Sequence, residues 1–305
     1  MRIARRHFIA GAAAGLGSAA LGSGPVRAGS SLTRGGMEVT VLSDGFLTQP
    51  ADFIYDPMPK DGLATFLDAR GMARDADLTP PCNVTLMRHE DRVVLFDAGA
   101  GTAFADTLGE LPDALAAAGV APEDVTHVVF THGHADHLWG VLDDFDEPMF
   151  ANAEHMMGRV EFDYWYDPDT ATTIRADREG MAIGAKRRLD VMADRMSFFE
   201  DGAEIMPGVF ARATFGHSPG HMSFVLADGA DSALILGDAI LNDHVSFAHP
   251  DWPVGADADQ EAAAAMRLGL LDQLAAEDMP LVGFHLPGGI GHVERHEGAY
   301  RFVSA

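Results

Sequence analysis

Residues 126–137 read Thr-His-Val-Val-Phe-Thr-His-Gly-His-Ala-Asp-His. An apolar, β-branched run stops here, and imidazoles and a carboxylate begin at once. The first half has the texture of a strand buried on both faces. The second half carries His132, His134, Asp136 and His137, side-chain types that bind zinc and similar divalent ions. Side chains two apart on an extended chain point the same way, so His132 and His134 can meet one ion. Where the chain turns, Asp136 and His137 can face a second ion beside it. A fold that obeys this stretch must bury a strand and open its carboxyl end onto a polar cleft.

Three later segments end in the same manner. Gly216-His217-Ser218-Pro219-Gly220-His221 sets two histidines about a Pro-Gly turn; 234–237 is an apolar run into Asp238; 282–284 leads into His285. Ligands held at strand ends have the rigidity that metal geometry requires. A carboxylate such as Asp238 has two oxygens and can serve two cations at once.

The remaining pattern alternates strands and helices. Strands are expected at 37–42, 84–87, 92–96, 126–131, 209–214, 222–227, 233–236, 281–284 and 300–303. Helices are expected at 111–118, 153–166, 170–195 (one or a pair) and 256–276. With 305 residues, of which 47% are hydrophobic, the chain can build one large α/β domain with sheets inside and helices outside. Asp44 is read as a turn residue and His127 as a packing histidine.

Arg5 and Arg6 precede a modest apolar stretch that Gly22–Pro25 breaks, and Val26-Arg27-Ala28 offers a small-residue cleavage site. This looks like a twin-arginine export signal over 1–28, followed by a short tail over 29–36 and a single catalytic domain over 37–305. Periplasmic or secreted localisation is therefore expected. No later segment is long and apolar enough to span a bilayer. The formal charge of −25 repels nucleic acid and anionic lipid, so small neutral molecules are the expected partners. One cysteine, Cys82, cannot make an internal disulfide, so the exported fold must stand on its core and its metals.

The His-x-His-x-Asp-His run, the Pro-Gly-His turn, the Gly-Asp strand end and the late histidine resemble the metallo-β-lactamase superfamily of dinuclear metallohydrolases. The resemblance spans about 37–303. It implies an αββα sandwich, two mixed sheets flanked by helices, with two divalent ions, zinc first among them, at one edge. It assigns His132, His134 and His221 to the first ion, Asp136, His137 and His285 to the second, and Asp238 to both. His217 is left to the turn, and Asp97 braces the histidine loop without binding metal.

Within the superfamily, the endings 285–293 and 298–302, together with 42–45 and 237–241, resemble the methyl parathion hydrolase group and the quorum-quenching lactonases. That implies hydrolysis of a lactone or organophosphate triester by a metal-bridging hydroxide, with Asp136 or Asp238 moving the proton, and it suggests a homodimer. The aromatic group 161–166 resembles that group's leaving-group pocket, which makes Phe162, Tyr164 and Trp165, with Trp139 after the metal loop, the candidate pocket residues. The rivals are a thioester or β-lactam hydrolase on the same ions and a periplasmic metal-binding protein without turnover.

Overall fold

The computed structural model describes residues 30–228 and 231–305. The expected export signal, 1–28, lies outside the described residues. Two seven-stranded sheets form the centre. The first runs in chain order through β1 (Ser31–Arg34), β2 (Met37–Phe46), β3 (Pro81–His89), β4 (Arg92–Phe96), β5 (His127–Phe130), β6 (Glu154–Gly158) and β7 (Met196–Phe199). Its first four strands are antiparallel neighbours and its last four are parallel. The second contains β8 (Glu204–Met206), β9 (Val209–Ala213), β10 (Met222–Asp228), β11 (Asp231–Gly237), β12 (Leu281–Gly283), β13 (Ile290–His296) and β14 (Ala299–Ser304), again in chain order. Only β11 and β12 pair in parallel there.

Side-chain alternation on the strands sorts the core into layers. On the first sheet, Val39, Val41, Met87, Phe96 and Val129 face Phe224, Ile235 and Val282 of the second sheet across a shared core. On the opposite face, Val84, Leu86, Leu95, Val128 and Phe130 pack with Leu115, Trp165, Ala185 and Leu189, which come from the helices Leu111–Ala117, Arg159–Tyr166 and Glu179–Met192. The outer face of the second sheet packs Leu234, Leu236 and Leu281 against Leu270, Leu271 and Leu274 of the helix Gln260–Glu277. The layers run helix, sheet, sheet, helix. Strand β5 is buried on both faces, which is why 128–130 reads as an unbroken apolar run.

Three expectations change. Residues 153–166, expected as one helix, divide into β6 and the helix Arg159–Tyr166. Met156 and Met157 face opposite cores, and β6 completes a parallel ladder between β5 and β7, a tertiary pairing that overrides the local helical preference of methionine. Residues 29–36, expected as a tail, contribute β1, which pairs along β2 in register Ser31↔Thr40 to Arg34↔Met37. The long helix expected over 170–195 is a short helix, Thr170–Thr173, and a longer one, Glu179–Met192. A further pair of helices, Ala51–Tyr55 and Lys60–Ala69, packs with Leu241, Val245 and Val254 beside the cleft.

Candidate metal centre

The carboxyl ends of β4, β5, β11 and β12 meet at one edge of the sandwich, joined there by the bond from Met222 N–H to the Thr131 carbonyl (2.9 Å). Asp97 follows β4 with a φ of 70°, a left-handed conformation that costs a non-glycine residue roughly 1–2 kcal/mol. Its carboxylate offsets that cost by accepting from Thr131 N–H, the Thr131 hydroxyl and His137 Nδ1, each at 2.8 Å. Asp97 thus braces the histidine loop and fixes the His137 tautomer.

Three neighbouring rings, His132, His285 and His217, are each held by one nitrogen so that the other faces inward. His132 Nδ1 lies 3.0 Å from Thr131 Oγ1. His285 Nδ1 donates to the Pro81 carbonyl at 2.8 Å. His217 Nδ1 meets Asp257 Oδ1 at 3.1 Å, and Arg267 steadies the other oxygen of that carboxylate at 3.3 Å. Asn83 donates to the carbonyls of Gly283 (3.3 Å) and Leu286 (2.9 Å), tying the His285 turn to the first sheet. Such outer contacts set ring orientation and raise ligand basicity.

The inward atoms form two adjoining groups. In one, His134 Nδ1 lies 2.8 Å from His132 Nε2 and 2.9 Å from His217 Nε2, with Asp238 Oδ2 3.3 Å from His217 Nε2. In the other, His285 Nε2 is 3.3 Å from both Asp136 Oδ2 and Asp238 Oδ2, and His137 Nε2 is 3.3 Å from Asp238 Oδ1 and 3.5 Å from Asp136 Oδ2. Asp238 stands between the groups. His137 Nε2 and Asp238 Oδ1 are buried and make no hydrogen bond. Lone pairs converging at these distances, with two buried atoms unsatisfied, fit a site for divalent cations.

The electrostatics agree with that fit. Burial, followed by the neighbouring imidazoles, holds His132 and His134 well below the usual histidine range, in the neutral form that ligates. Burial opposes ionisation of Asp238 as well, but His285 and His137 outweigh it and hold the carboxyl well below its ordinary value. Burial likewise opposes charge on His137, yet Asp238, Asp136 and Asp97 lift it to about 10. These acids supply the negative potential that a pair of cations would take up.

Six of the seven expected ligands, His132, His134, Asp136, His137, Asp238 and His285, enter these groups. His221 does not. Its Nε2 accepts the Asp238 backbone N–H at 2.9 Å, so its proton sits on Nδ1, 2.8 Å from Thr214 Oγ1. Burial, followed by the charge of His217, pushes it down to about 3. Both nitrogens are occupied, and the ring stacks behind the site; His217 takes the place expected for His221. Gly237 (φ 56°) lets this happen, because a Cβ there would stand 2.7 Å from His221 Nε2.

The aromatic residues divide in the same way. Tyr164 and Trp165 line a cavity of about 240 Å³ that opens beside His134. Phe162 instead stacks on Tyr166 (4.9 Å) and meets Phe198 in the core. Trp139 lies under Arg188, 4.1 Å from its ring centre, with Phe104 on its edge. Neither lines that cavity, because each is consumed by packing between helices and the first sheet. A second cavity, of about 390 Å³, reaches His285 from the other side between 72–81 and Asn242–His244.

Sequence reading passed over Glu161, which is fully buried. It accepts from Gly133 N–H (2.8 Å), Trp165 Nε1 (2.6 Å), Ser218 Oγ (2.8 Å) and Gly220 N–H (2.8 Å). One carboxylate therefore joins the 132–137 loop to the 216–221 turn and sets the indole beside His134. Asp257 and Arg267 were also missed. Only the i,i+4 spacing of Glu161 and Trp165 hinted at any of this. Asp44, read as a turn residue, instead lies buried near the end of β2, where its carboxylate accepts from Ala100 and Leu111 N–H, each at 2.8 Å. Cys82 is a buried thiol whose Sγ lies 3.8 Å from Asp136 Oδ2.

Comparison with known proteins agrees with this geometry. The family model for the metallo-beta-lactamase superfamily matches residues 79–296. The N-acyl homoserine lactonase AttM of Agrobacterium fabrum is 31% identical over 127 residues, 41% of this chain and 44% of that protein. Mouse metallo-beta-lactamase domain-containing protein 1 is 38% identical over 111 residues, 34% of this chain and 40% of that protein. These alignments span less than half the length of the curated relatives. The hydrolase AbOPH of the beta lactamase superfamily superposes with a TM-score of 0.83 at 26% identity, covering 92% of this chain and 98% of its own. AidC, a dizinc quorum-quenching lactonase, shares the fold with the same TM-score and coverage at 22% identity. With a family model matched over most of its length and the His/Asp groups at the sheet edge, this chain belongs to the metallo-beta-lactamase superfamily.

Proposed function

We propose that this protein is a dinuclear metal-dependent hydrolase of small esters, with lactones and organophosphate triesters as the leading substrate classes. The observation that carries the reading is the position of Asp238. One of its oxygens stands 3.3 Å from His137 Nε2, and the other stands 3.3 Å from both His217 Nε2 and His285 Nε2. A single buried carboxylate shared by two imidazole groups suits two neighbouring cations.

In this reading His132, His134 and His217 hold one ion, Asp136, His137 and His285 hold the other, and Asp238 serves both. When bound, divalent ions would supply Lewis acidity toward a C=O or P=O oxygen and would lower the pKa of solvent. The chain supplies the rest. Asp97, Thr131, Pro81 and Asp257 hold the imidazoles by their outer nitrogens and aim the inner ones. Asp136 or Asp238, ionised in the cleft, accepts a proton from the attacking solvent and returns it to the departing oxygen. Trp165 and Tyr164 present an apolar wall beside His134 for the part of the substrate that does not react. Burial of one such ring against a substrate stabilises the complex by roughly 1–3 kcal/mol.

The alignment to N-acyl homoserine lactonases supports the lactone class. The test is a panel of an acyl-homoserine lactone, an aryl phosphotriester, a thioester and a β-lactam, assayed on metal-analysed protein with and without chelator. Chelator-sensitive turnover that favours the lactone or the triester is expected. Faster turnover of the thioester or β-lactam would replace the substrate class, and an inert metal-loaded protein would leave only a binding role. We also propose that the chain is exported with its N-terminal segment removed near Ala28. Amino-terminal sequencing of protein recovered from the periplasm tests this, and a chain still starting at Met1 contradicts it.

A further inference from the structure

The cavity beside His134 is walled in part by a buried cation that has no salt-bridge partner, although Asp177 and Asp257 lie near enough to favour its charge. Arg178 is 5% exposed and lies in the wall of that cavity with Tyr164, Trp165 and Arg175. Its guanidinium meets backbone carbonyls only: Nη2 donates to Ala256 O and, at 3.5 Å, to Gly255 O. Nε is buried and has no acceptor. Among the described residues no carboxylate lies within salt-bridge distance of it. The Phe53 ring lies 5.6 Å from the guanidinium carbon.

Other arginines nearby do not share this condition. Arg175 is paired with Asp177 (2.6 Å) and donates to Gly255 O at 2.9 Å. Arg267 is paired with Asp257 at 3.3 Å. A buried guanidinium is ordinarily matched by an acid, because removing its charge from water is costly. Here Nη1, which makes no hydrogen bond among the described residues and is not enclosed, can take its acceptor from the cavity. A planar oxyanion suits the free N–H groups, since a carboxylate can take two parallel bonds from guanidinium.

We propose that Arg178 is a specificity residue that anchors a carboxylate on the non-reacting arm of the substrate, so that the preferred esters are half-esters or lactones bearing an acid. This rests on the metallohydrolase reading above and narrows its small-ester class to members that carry an acid away from the reacting centre. The acidic surface does not forbid this, because charges beyond about 8 Å are screened at physiological salt while a buried guanidinium acts at contact distance.

The test compares 4-nitrophenyl hydrogen glutarate with 4-nitrophenyl butyrate on the metal-loaded protein. The wild type is expected to favour the glutarate in kcat/KM by about tenfold, the discrimination of one charge-assisted hydrogen-bonded contact. That ratio should collapse in Arg178→Gln and fall only a few-fold in Arg178→Lys, which keeps the charge but not the fork. If the Gln variant does not fold, the wild-type ratio and the Lys variant carry the comparison. Equal turnover of the two esters by the wild type, or a glutarate preference that survives in Arg178→Gln, overturns the anchor and leaves the metallohydrolase reading standing. If neither ester is cleaved, turnover of the lactone and the triester decides the metallohydrolase reading, and calorimetric binding of the matching 4-nitroanilides decides the anchor. Tighter binding of the glutaric anilide that depends on Arg178 supports it, and equal binding of the two anilides overturns it.

Discussion

Asp257 Oδ1 lies 3.1 Å from His217 Nδ1, although 40 residues separate the two in sequence. The pair makes His217 an outward donor and an inward acceptor, and Arg267 donates to the other oxygen of the carboxylate at 3.3 Å. Asp257→Asn should therefore weaken metal binding at the His132/His134/His217 group by about 10–100-fold without unfolding the protein. Competition with a calibrated chelator measures this; unchanged affinity would show that the ring needs no such support.

The two histidines of the 216–221 turn should behave differently when each is replaced by alanine. His217→Ala removes an inward nitrogen, and its metal content should fall by about one ion per chain. His221→Ala leaves the inward atoms in place but strands the Asp238 N–H, so stability should drop by about 1–3 kcal/mol with metal content retained. Elemental analysis and thermal melting of both variants separate the roles; the reverse pattern would restore His221 as the ligand.

Glu161 gathers four donors, three of them from the loops that carry the candidate metal-binding histidines. Glu161→Ala leaves those donors unsatisfied in the interior and should cost about 3 kcal/mol or more. Loss of the Trp165 Nε1 contact should also shift tryptophan emission. An alanine variant as stable as the wild type would mean that the carboxylate is dispensable.

His155 on β6 is buried away from the cleft, and burial pushes it down to about 4. The unfolded chain takes up this proton near pH 6.5 and the native protein does not. Stability from this group is therefore fully present above pH 6.5 and is lost as the pH falls toward about 4, by up to about 1.4 kcal/mol per unit. Denaturant melts at a series of pH values should show a shallower acid slope in His155→Leu. An unaltered slope would assign the acid sensitivity elsewhere.

Cys82 is fully buried, and desolvation pushes its thiol up to about 12. At pH 8 it should ignore a thiol-specific reagent in the folded protein and react at once in denaturant. Rapid labelling under native conditions would show that the Asp136 side of the cleft opens.

Most of the strands were legible because they are apolar on both faces, and the metal loop was legible because ligands crowd a strand end. The same logic failed where two solutions share one sequence pattern. His217 and His221 flank one Pro-Gly turn, and only the Asp238 backbone N–H facing His221 decides which ring turns inward. Trp139 and Phe162 look like pocket residues by chemistry, yet helix packing claims both. Glu161 on a polar-looking helix reads as a solvated acid until the fold brings the Gly133 and Gly220 N–H groups to it. Strand β6 was hidden because its evidence is a parallel pairing with β5 and β7.

The central claim is that Asp238 joins two ligand groups that fill together. Metal analysis of protein purified under metal-replete conditions, at known chain concentration, tests this most directly. The account predicts two divalent ions per chain in the wild type and a marked loss in Asp238→Asn. One ion or none in the wild type, or two retained in Asp238→Asn, would contradict it.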